Sequence, residues 1–182
     1  MDDNEQIIVR SARAADVTFA NEIIEEMRSS AITRGSGISK RSAESIIEKI
    51  NDGKAVIAVT KQGEWAGFSY FEIWDDGKFV SNSGLIVSPK HRNQGIASRI
   101  KTKVFNLCRK KCPEAKIFSI TSGLPIMKMN SRLGFEPVTY SEIVKDPNFW
   151  KKCESCVNYQ VLESKNRYNC LCTAMLFDPN LN

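Results

Sequence analysis

The chain has 182 residues, of which 42% are apolar and 26% charged, and its formal net charge is +5. This length suits one α/β domain with a real core and is too short for two, and the composition is typical of a folded soluble protein. No apolar run reaches the ~18 residues of a membrane span, and residues 1–5 form an acidic start without an apolar signal core, so we expect a cytoplasmic protein. Basic residues occur in small groups such as Lys101 and Lys103, which we interpret as solvated helix faces and not as a nucleic-acid surface.

The first half of the chain mixes helix and strand signals. Helical spacing of apolar residues predicts two helices, one capped by Asp16 and one starting near Ser42: residues 16–30 and 42–50. Apolar runs and period-two alternation predict four strands: residues 6–10, 55–60, 65–74 and 79–87.

The second half begins with the most informative helix. Apolar residues at helical spacing predict that it runs from Gly95 to Lys111. A short strand, a helix closed by Gly134 and another strand are predicted after it: residues 116–120, 124–133 and 135–139. The remainder is less regular, with a final strand predicted at residues 171–177.

A strand, a polar loop and a helix start follow one another between Val87 and Ser98. The first N–H groups of a helix have no partner within the helix, and the helix dipole makes that end positive. Gly95 would let a phosphate approach the main chain. On its own this pattern predicts no more than a phosphate-binding turn.

Two motifs together are more specific than this turn. Val87-Ser88-Pro89 precedes Arg92-Asn93-Gln94-Gly95-Ile96-Ala97, and Leu133-Gly134-Phe135 follows at the end of a later helix. In both motifs, and in the order of its elements, the chain resembles the GNAT superfamily of acyl-CoA N-acyltransferases. The resemblance implies an α/β (α+β) fold whose mixed, mostly antiparallel central sheet is flanked by helices and splayed between strands 4 and 5. We expect residues 1–140 to form this core, and residues 141–182 to be a Cys-rich extension that completes the same domain.

The resemblance also implies a donor site for acetyl-CoA or another acyl-CoA. Backbone groups of the fourth strand would pair with the pantetheine arm as an added strand does, and the loop amides would bind the pyrophosphate. The residues concerned are Leu85, Ile86, Val87, Arg92, Asn93, Gln94, Gly95, Ile96, Ala97 and Ser98. Many family members carry a tyrosine four residues before the glycine of Leu-Gly-Phe, where it protonates the leaving thiolate. This chain has Asn130 there, which can hydrogen-bond the sulfur but cannot supply that proton.

The acceptor side is predicted from charge and position. Glu72 is the best candidate for a base, because burial among aromatic residues would raise its pKa. Asn82 on the neighbouring strand would orient a water or the substrate. Arg34 and Arg41 would clamp carboxylates of the substrate, and Arg41-Ser42 resembles a pair in short glutamate N-acyltransferases of arginine biosynthesis.

Four cysteines mark the tail. Cys153 and Cys156 form a Cys-x2-Cys pair, and Cys170 and Cys172 a Cys-x-Cys pair on one face of the last predicted strand. Such a set suits structural zinc. Free, partly buried thiols and a redox disulfide remain open alternatives.

The leading hypothesis is an enzyme that moves an acetyl or succinyl group from acyl-CoA to the amine of a small acidic amino acid, with glutamate favoured. Acetylation of a protein or another small amine is the second hypothesis. The third is an inactive acyl-CoA-binding sensor of metal or redox state. We expect a small-molecule amine partner, neither nucleic acid nor membrane, and a monomer or homodimer.

Overall fold

The computed structural model describes residues 6–37 and 39–181; predictions that involve residues 1–5 or Ile38 lie outside this part of the chain. The strands found there are β1 (Ile8–Ser11), β2 (Ala55–Val59), β3 (Trp65–Trp74), β4 (Phe79–Val87), β5 (Lys116–Thr121), β6 (Glu136–Val138) and β7 (Thr173–Phe177). The α-helices are α1 (Ala20–Arg34), α2 (Ala43–Asn51), α3 (Ile96–Lys111), α4 (Leu124–Arg132), α5 (Pro147–Lys151) and α6 (Tyr159–Ser164). Within these residues no helix is both long and apolar enough to cross a membrane.

The strands are hydrogen-bonded in the order β1-β2-β3-β4-β5-β7-β6. The pairs β1–β2, β2–β3, β5–β7 and β6–β7 are antiparallel, and β4–β5 is parallel. The parallel register covers Phe79–Ser81 of β4, opposite Lys116–Phe118, and the rest of β4 lies outside it. The mixed, mostly antiparallel sheet with flanking helices confirms the predicted fold class.

Contacts divide the described residues into two compact units. Unit 1 holds residues 6–27, Arg41–Phe71 and Asn82–Cys108, and unit 2 holds Arg28–Lys40, Glu72–Ser81 and residues 109–181. The domain boundary expected at residue 140 stays a prediction.

The core of unit 1 is built from apolar strands and one face of α3. All five residues of β2 are buried, as the unbroken apolar run predicts. A Cβ added to Gly67 in β3 would lie 2.7 Å from Ile100 Cδ1 of α3 and 3.0 Å from the Ile86 carbonyl of β4. Only a glycine leaves room for α3 and β4 to come this close to β3.

Asp16 has a different structural role from the predicted helix cap. It is buried within a 3-10 turn, Ala14–Phe19, that precedes α1. Its carboxylate accepts from the Arg13 N–H at 2.6 Å and pairs with the Arg10 guanidinium at 2.7 Å. The cap prediction was wrong because the carboxylate serves the turn and an ion pair with β1, and α1 begins four residues later.

The core of unit 2 is rich in aromatic residues contributed by the tail. Trp150 of α5 packs against Tyr140 and, edge to face, against Phe149 at centroid distances of 5.5 and 5.1 Å, and its Nε1 donates to the Val144 carbonyl at 3.0 Å. The tail therefore carries core residues. The sequence did not predict α5 and α6, because helices this short are held by tertiary packing and show little periodicity.

Candidate active site

The donor loop lies in unit 1 between the end of β4 and the start of α3. A 3-10 turn, Pro89–His91, follows β4, and residues 92–95 are exposed. Asn93 and Gly95 have left-handed φ values of 62° and 72°, which turn the backbone into the first residue of α3. A Cβ at Gly95 would meet no atom within 4 Å. The space beside this glycine is open, as a main-chain phosphate site requires.

Most of the predicted donor residues are contiguous in this strand, loop and helix start. The first N–H groups of a helix such as α3 have no partner within the helix, which suits an anion at this exposed loop. The Arg92 side chain has an unforeseen role. Its guanidinium pairs with Glu26 at 2.6 Å, and its Nε donates to the Val87 carbonyl at 3.2 Å. This side chain therefore braces the loop, while the Arg92 backbone N–H donates to the Pro89 carbonyl at 3.4 Å.

His91 is the buried residue of the turn that precedes the loop, and its side chain is 2% exposed. Its Nδ1 is buried without a hydrogen-bond partner among the described residues.

On the acceptor side, Arg41 is half-buried and fixed by β3. Its Nε donates to the Tyr70 hydroxyl, and its guanidinium lies 5.7 Å from the centre of the Tyr70 ring. The same ring contacts the backbone of β4, where a Cβ on Gly84 would lie 2.4 Å from Tyr70 Cε1. Gly84 has a φ of 67°, so both space and conformation require glycine. Arg34, in contrast, ends α1 in unit 2 and is exposed.

Asn82 of β4 has a buried cationic partner that the sequence did not reveal. Lys101 of α3 is 2% exposed, and its Nζ donates to Asn82 Oδ1 at 2.9 Å. Burial lowers the pKa of Lys101 to about 8, against a smaller raising effect of Cys108. Our interpretation of Lys101 as part of a solvated face was wrong, because this residue lies beside the apolar stripe of α3.

Glu72, the predicted base, is held by the tail. Its Oε1 accepts from Lys152 Nζ at 2.6 Å, and the ammonium also lies 4.5 Å from the ring centre of Trp74. The Glu72 side chain is largely buried in this ion pair, with 13% exposure. Its role as base stays a prediction.

Asn130, at the position of the usual proton donor, is fully buried in unit 2. Its Nδ2 donates to the sulfur of Met175 at 3.5 Å, and its Oδ1 has no partner among the described residues. Its backbone carbonyl accepts from Leu133 and Phe135, which closes α4 around Gly134 at a φ of 84°. The Leu-Gly-Phe motif is therefore a helix C-cap of the Schellman kind. A catalytic role for the Asn130 side chain is still only predicted.

The four cysteines are free thiols in unit 2. Burial raises the pKa of Cys153 to about 11, with further contributions from Cys156 and Cys170. The pKa of Cys172 also rises to about 11, through burial and then its three neighbours. The thiols therefore lie within electrostatic reach of one another. In the described part of the chain, however, no group of three or more His, Cys, Asp or Glu side chains is arranged to hold a metal ion.

The cysteine tail departs from one prediction and makes contacts that the sequence did not predict. Cys170 and Cys172 precede β7, so they do not share a strand face as predicted. Cys156 packs against Gly37, where an added Cβ would lie 2.7 Å from its sulfur, and Ser155 Oγ accepts from the Lys40 N–H at 2.9 Å. The tail thus contacts the loop that follows Arg34.

The comparisons with known proteins agree with this geometry. The model of the acetyltransferase (GNAT) family matches residues 21–135. No curated protein matches the chain. Similar solved structures include N-acetylglutamate synthase from Neisseria gonorrhoeae with coenzyme A and N-acetyl-glutamate, at 14% identity and a TM-score of 0.66. This match covers 95% of the chain but 35% of the synthase, so the chain spans about a third of that protein.

Two further structures match over most of both chains. Rv2747 from Mycobacterium tuberculosis in complex with CoA has 15% identity and a TM-score of 0.64, covering 94% of this chain and 98% of its own. Phosphinothricin acetyltransferase from Sinorhizobium meliloti with acetyl-CoA has 16% identity and a TM-score of 0.62, covering 94% and 88%. At identities this low, the structural similarity shows only that the fold is shared.

In the mixed sheet, β4 is followed by a phosphate-type loop and then by α3. This arrangement and the family match together define an acyl-CoA-dependent N-acyltransferase. The chain belongs to the acetyltransferase (GNAT) family.

Proposed function

We propose that this enzyme transfers an acetyl group from acetyl-CoA to the amine of a small acidic amino acid, with glutamate as the favoured acceptor and succinyl-CoA as an alternative donor. The observation that carries the acceptor class is the fixed guanidinium of Arg41. Tyr70 holds it by a hydrogen bond and a ring contact, which reduces the side-chain entropy that binding a carboxylate would cost.

Charge supports this assignment over a cationic amine. A guanidinium presents paired N–H donors that match a carboxylate, and it repels an ammonium-rich substrate. One structure of the same fold, the Neisseria synthase, holds N-acetyl-glutamate together with CoA. Acetylation of a protein amine or another small amine remains the competing hypothesis.

The donor part of the proposal follows from β4 and the loop. Acyl-CoA would lie along Leu85, Ile86 and Val87, with its pyrophosphate on the amides of Arg92 to Ser98. The amine must lose a proton before or during its attack on the thioester carbon, after which the C–S bond breaks and CoA leaves as the thiolate. Glu72 is proposed to take up the amine proton, directly or through water. The thiolate is proposed to receive a hydrogen bond from Asn130 or water.

The acceptor class is tested by Arg41→Met. We expect the KM for glutamate to rise by about 10- to 100-fold, the range for losing a hydrogen bond to a charged group. The kcat with an amine that lacks a carboxylate should not change. Arg132→Met, which removes an exposed arginine of α4, is the matched control. Equal glutamate KM values in the Arg41 variant and the wild type would contradict the proposed carboxylate contact.

A structural zinc ion held by four cysteines is a separate prediction, and its ligands would be Cys153, Cys156, Cys170 and Cys172. Four thiols that influence one another electrostatically support it, while the described geometry offers no assembled ligand group. Metal analysis of protein purified without chelators tests it. The prediction requires close to one zinc per chain, and a small fraction of that amount would leave the two thiol alternatives.

A further inference from the structure

Asn82 and Lys101 form a buried polar pair inside unit 1. Both residues are almost inaccessible, with 5% and 2% exposure, and the Lys101 ammonium donates to Asn82 Oδ1. An ammonium has hydrogens to donate and no lone pair to accept with, so it must face the amide oxygen. This fixes the orientation of the amide and directs its NH2 group away from Lys101.

That NH2 group is left without a partner. Asn82 Nδ2 is buried and has no hydrogen-bond partner among the described residues. Buried donors are almost always paired, and those that are not require a specific explanation, such as a catalytic role or a missing water or ligand. A buried lysine is similarly costly, since an apolar side chain of the same volume usually serves the core as well or better. Packing alone therefore does not explain this pair.

The position of Asn82 suggests what the missing acceptor is. Asn82 is the first residue of β4 beyond the parallel register, which ends at Ser81. Three residues later β4 reaches Leu85, Ile86 and Val87, the segment proposed to hold the pantetheine arm. The acyl group of a donor lies at the end of that arm farthest from the pyrophosphate loop, toward the start of β4. The acyl carbonyl offers an oxygen acceptor there.

We propose that Asn82 donates a hydrogen bond from its side-chain NH2 to the carbonyl oxygen of the bound acyl group, and that Lys101 is the positioning residue that orients and polarises this amide. The inference rests on the proposed donor site along β4. Negative charge develops on the carbonyl oxygen as the amine attacks, and a donor held in place beforehand stabilises that charge without reorganisation. The hydrogen bond from Lys101 draws electron density from the amide and strengthens its NH2 as a donor.

The first experiment replaces Lys101 by methionine, which keeps the length and apolar packing of the side chain. We expect a moderate fall in the thermal midpoint, because the change removes a buried charge but also leaves Asn82 Oδ1 without its hydrogen-bond donor. The dissociation constant for CoA should change less than about twofold, and kcat should fall about 10- to 100-fold, the range for losing one hydrogen bond to a charged group. Lys103→Met, an exposed position on the same helix, is the control and should leave all three quantities unchanged.

A double-mutant cycle shows whether Lys101 acts through Asn82 or independently of it. Asn82→Leu should lower kcat at least as much as Lys101→Met does. If Lys101 acts only through Asn82, the Lys101→Met/Asn82→Leu variant should be no slower than Asn82→Leu alone. The double variant also leaves neither an unpaired ammonium nor an unpaired amide in the core, so it should fold. Wild-type kcat in Lys101→Met, or losses that multiply in the double variant, would overturn the proposal.

A measurement that needs no turnover tests the Asn82 contact even if the proposed acceptor class is wrong. In 15N-labelled protein, the Asn82 NH2 signals are identified by their loss in Asn82→Leu. They should shift on saturation with acetyl-CoA but not with CoA, and the shift should diminish in Lys101→Met. Equal responses to acetyl-CoA and CoA would refute the contact. Turnover with a non-acidic amine would refute the acceptor class alone.

Discussion

A side chain at Gly95 would have two separate effects. It would strain the left-handed backbone, and it would fill the open space beside this residue. Its φ of 72° strains any other residue, and the empty region beside it is where we place the pyrophosphate. Gly63 has a φ of 87° and equally open surroundings in the turn between β2 and β3, so it isolates the first effect. Comparing the two positions separates backbone strain from ligand contact.

We therefore predict that Gly95→Leu and Gly63→Leu each cost about 1–2 kcal/mol of folding stability, the typical penalty of a left-handed residue. Only Gly95→Leu should weaken CoA binding, by about tenfold or more, equivalent to at least ~1.4 kcal/mol. Denaturant unfolding and calorimetric titration with CoA measure the two effects. Unaltered CoA affinity in the Gly95 variant would mean that the pyrophosphate lies elsewhere.

Asp16 shows how a carboxylate can stabilise the fold. Burial acts to raise its pKa, but the hydrogen bonds from Arg10 and Arg13 outweigh burial and leave that pKa below its ordinary value. A lowered folded-state pKa gives stability that is present above the unfolded value, near 3.9, and lost as pH falls through the folded one.

Asp16→Asn should then lower the free energy of unfolding by about 2 kcal/mol at pH 7, within the range for hydrogen bonds to charged groups. Urea titrations at a series of pH values measure the difference from wild type. It should be constant between pH 5 and 7, by the linkage just described, and shrink below about pH 4. A difference that persists unchanged at pH 2 would show that the charge of Asp16 is not involved.

Among the secondary-structure elements, the strands of the sheet were the most predictable. The predicted limits of β3 and β4 are those observed, because the alternation of aromatic residues and the turn at Asp75–Gly77 define both strands locally. The donor loop was predictable for a similar reason, since Gly95 and the helix start are neighbours in sequence. Lys101 was missed because charge predicts exposure, and only the packing of α3 within unit 1 shows that this residue is buried.

The tail was less predictable because its structure depends on contacts with residues that are far away in sequence. Trp150 is 8% exposed and packs among aromatic residues from several elements of unit 2, including Phe118 and Tyr140. Its short helix has no repeating pattern to reveal it. Glu72 was recognised as partly buried, while its partner Lys152 lies 80 residues away in sequence and gave no local signal.

If the tail completes the fold, Trp150→Ala should destabilise the protein by about 3–5 kcal/mol, as expected for removing a buried aromatic residue. Tyr168→Ala, at a tail residue that is 71% exposed, is the control and should cost less than about 0.5 kcal/mol. Denaturant unfolding followed by tryptophan fluorescence and circular dichroism measures both variants. A Trp150 variant as stable as the wild type would show that Trp150 does not hold the tail in the core of unit 2.

The family match and the fold identify acyl-CoA as the donor, and the charge of Arg41 is the basis for the proposed acceptor. The net charge of +5 is spread over the whole sequence and identifies neither the donor nor the acceptor. The acceptor class rests on Arg41 and on neighbours of the same fold that differ in what they bind. For this reason the donor could be predicted from two sequence motifs, whereas the acceptor needs a direct assay.

The acyl transfer is tested most directly by the release of CoA thiol from acetyl-CoA in the presence of a panel of amines, with the N-acetyl product measured in parallel. We predict thiol release in equal amount to N-acetyl product, with glutamate or another small acidic amino acid as the best acceptor. Binding of acetyl-CoA without thiol release for any amine in the panel would contradict it.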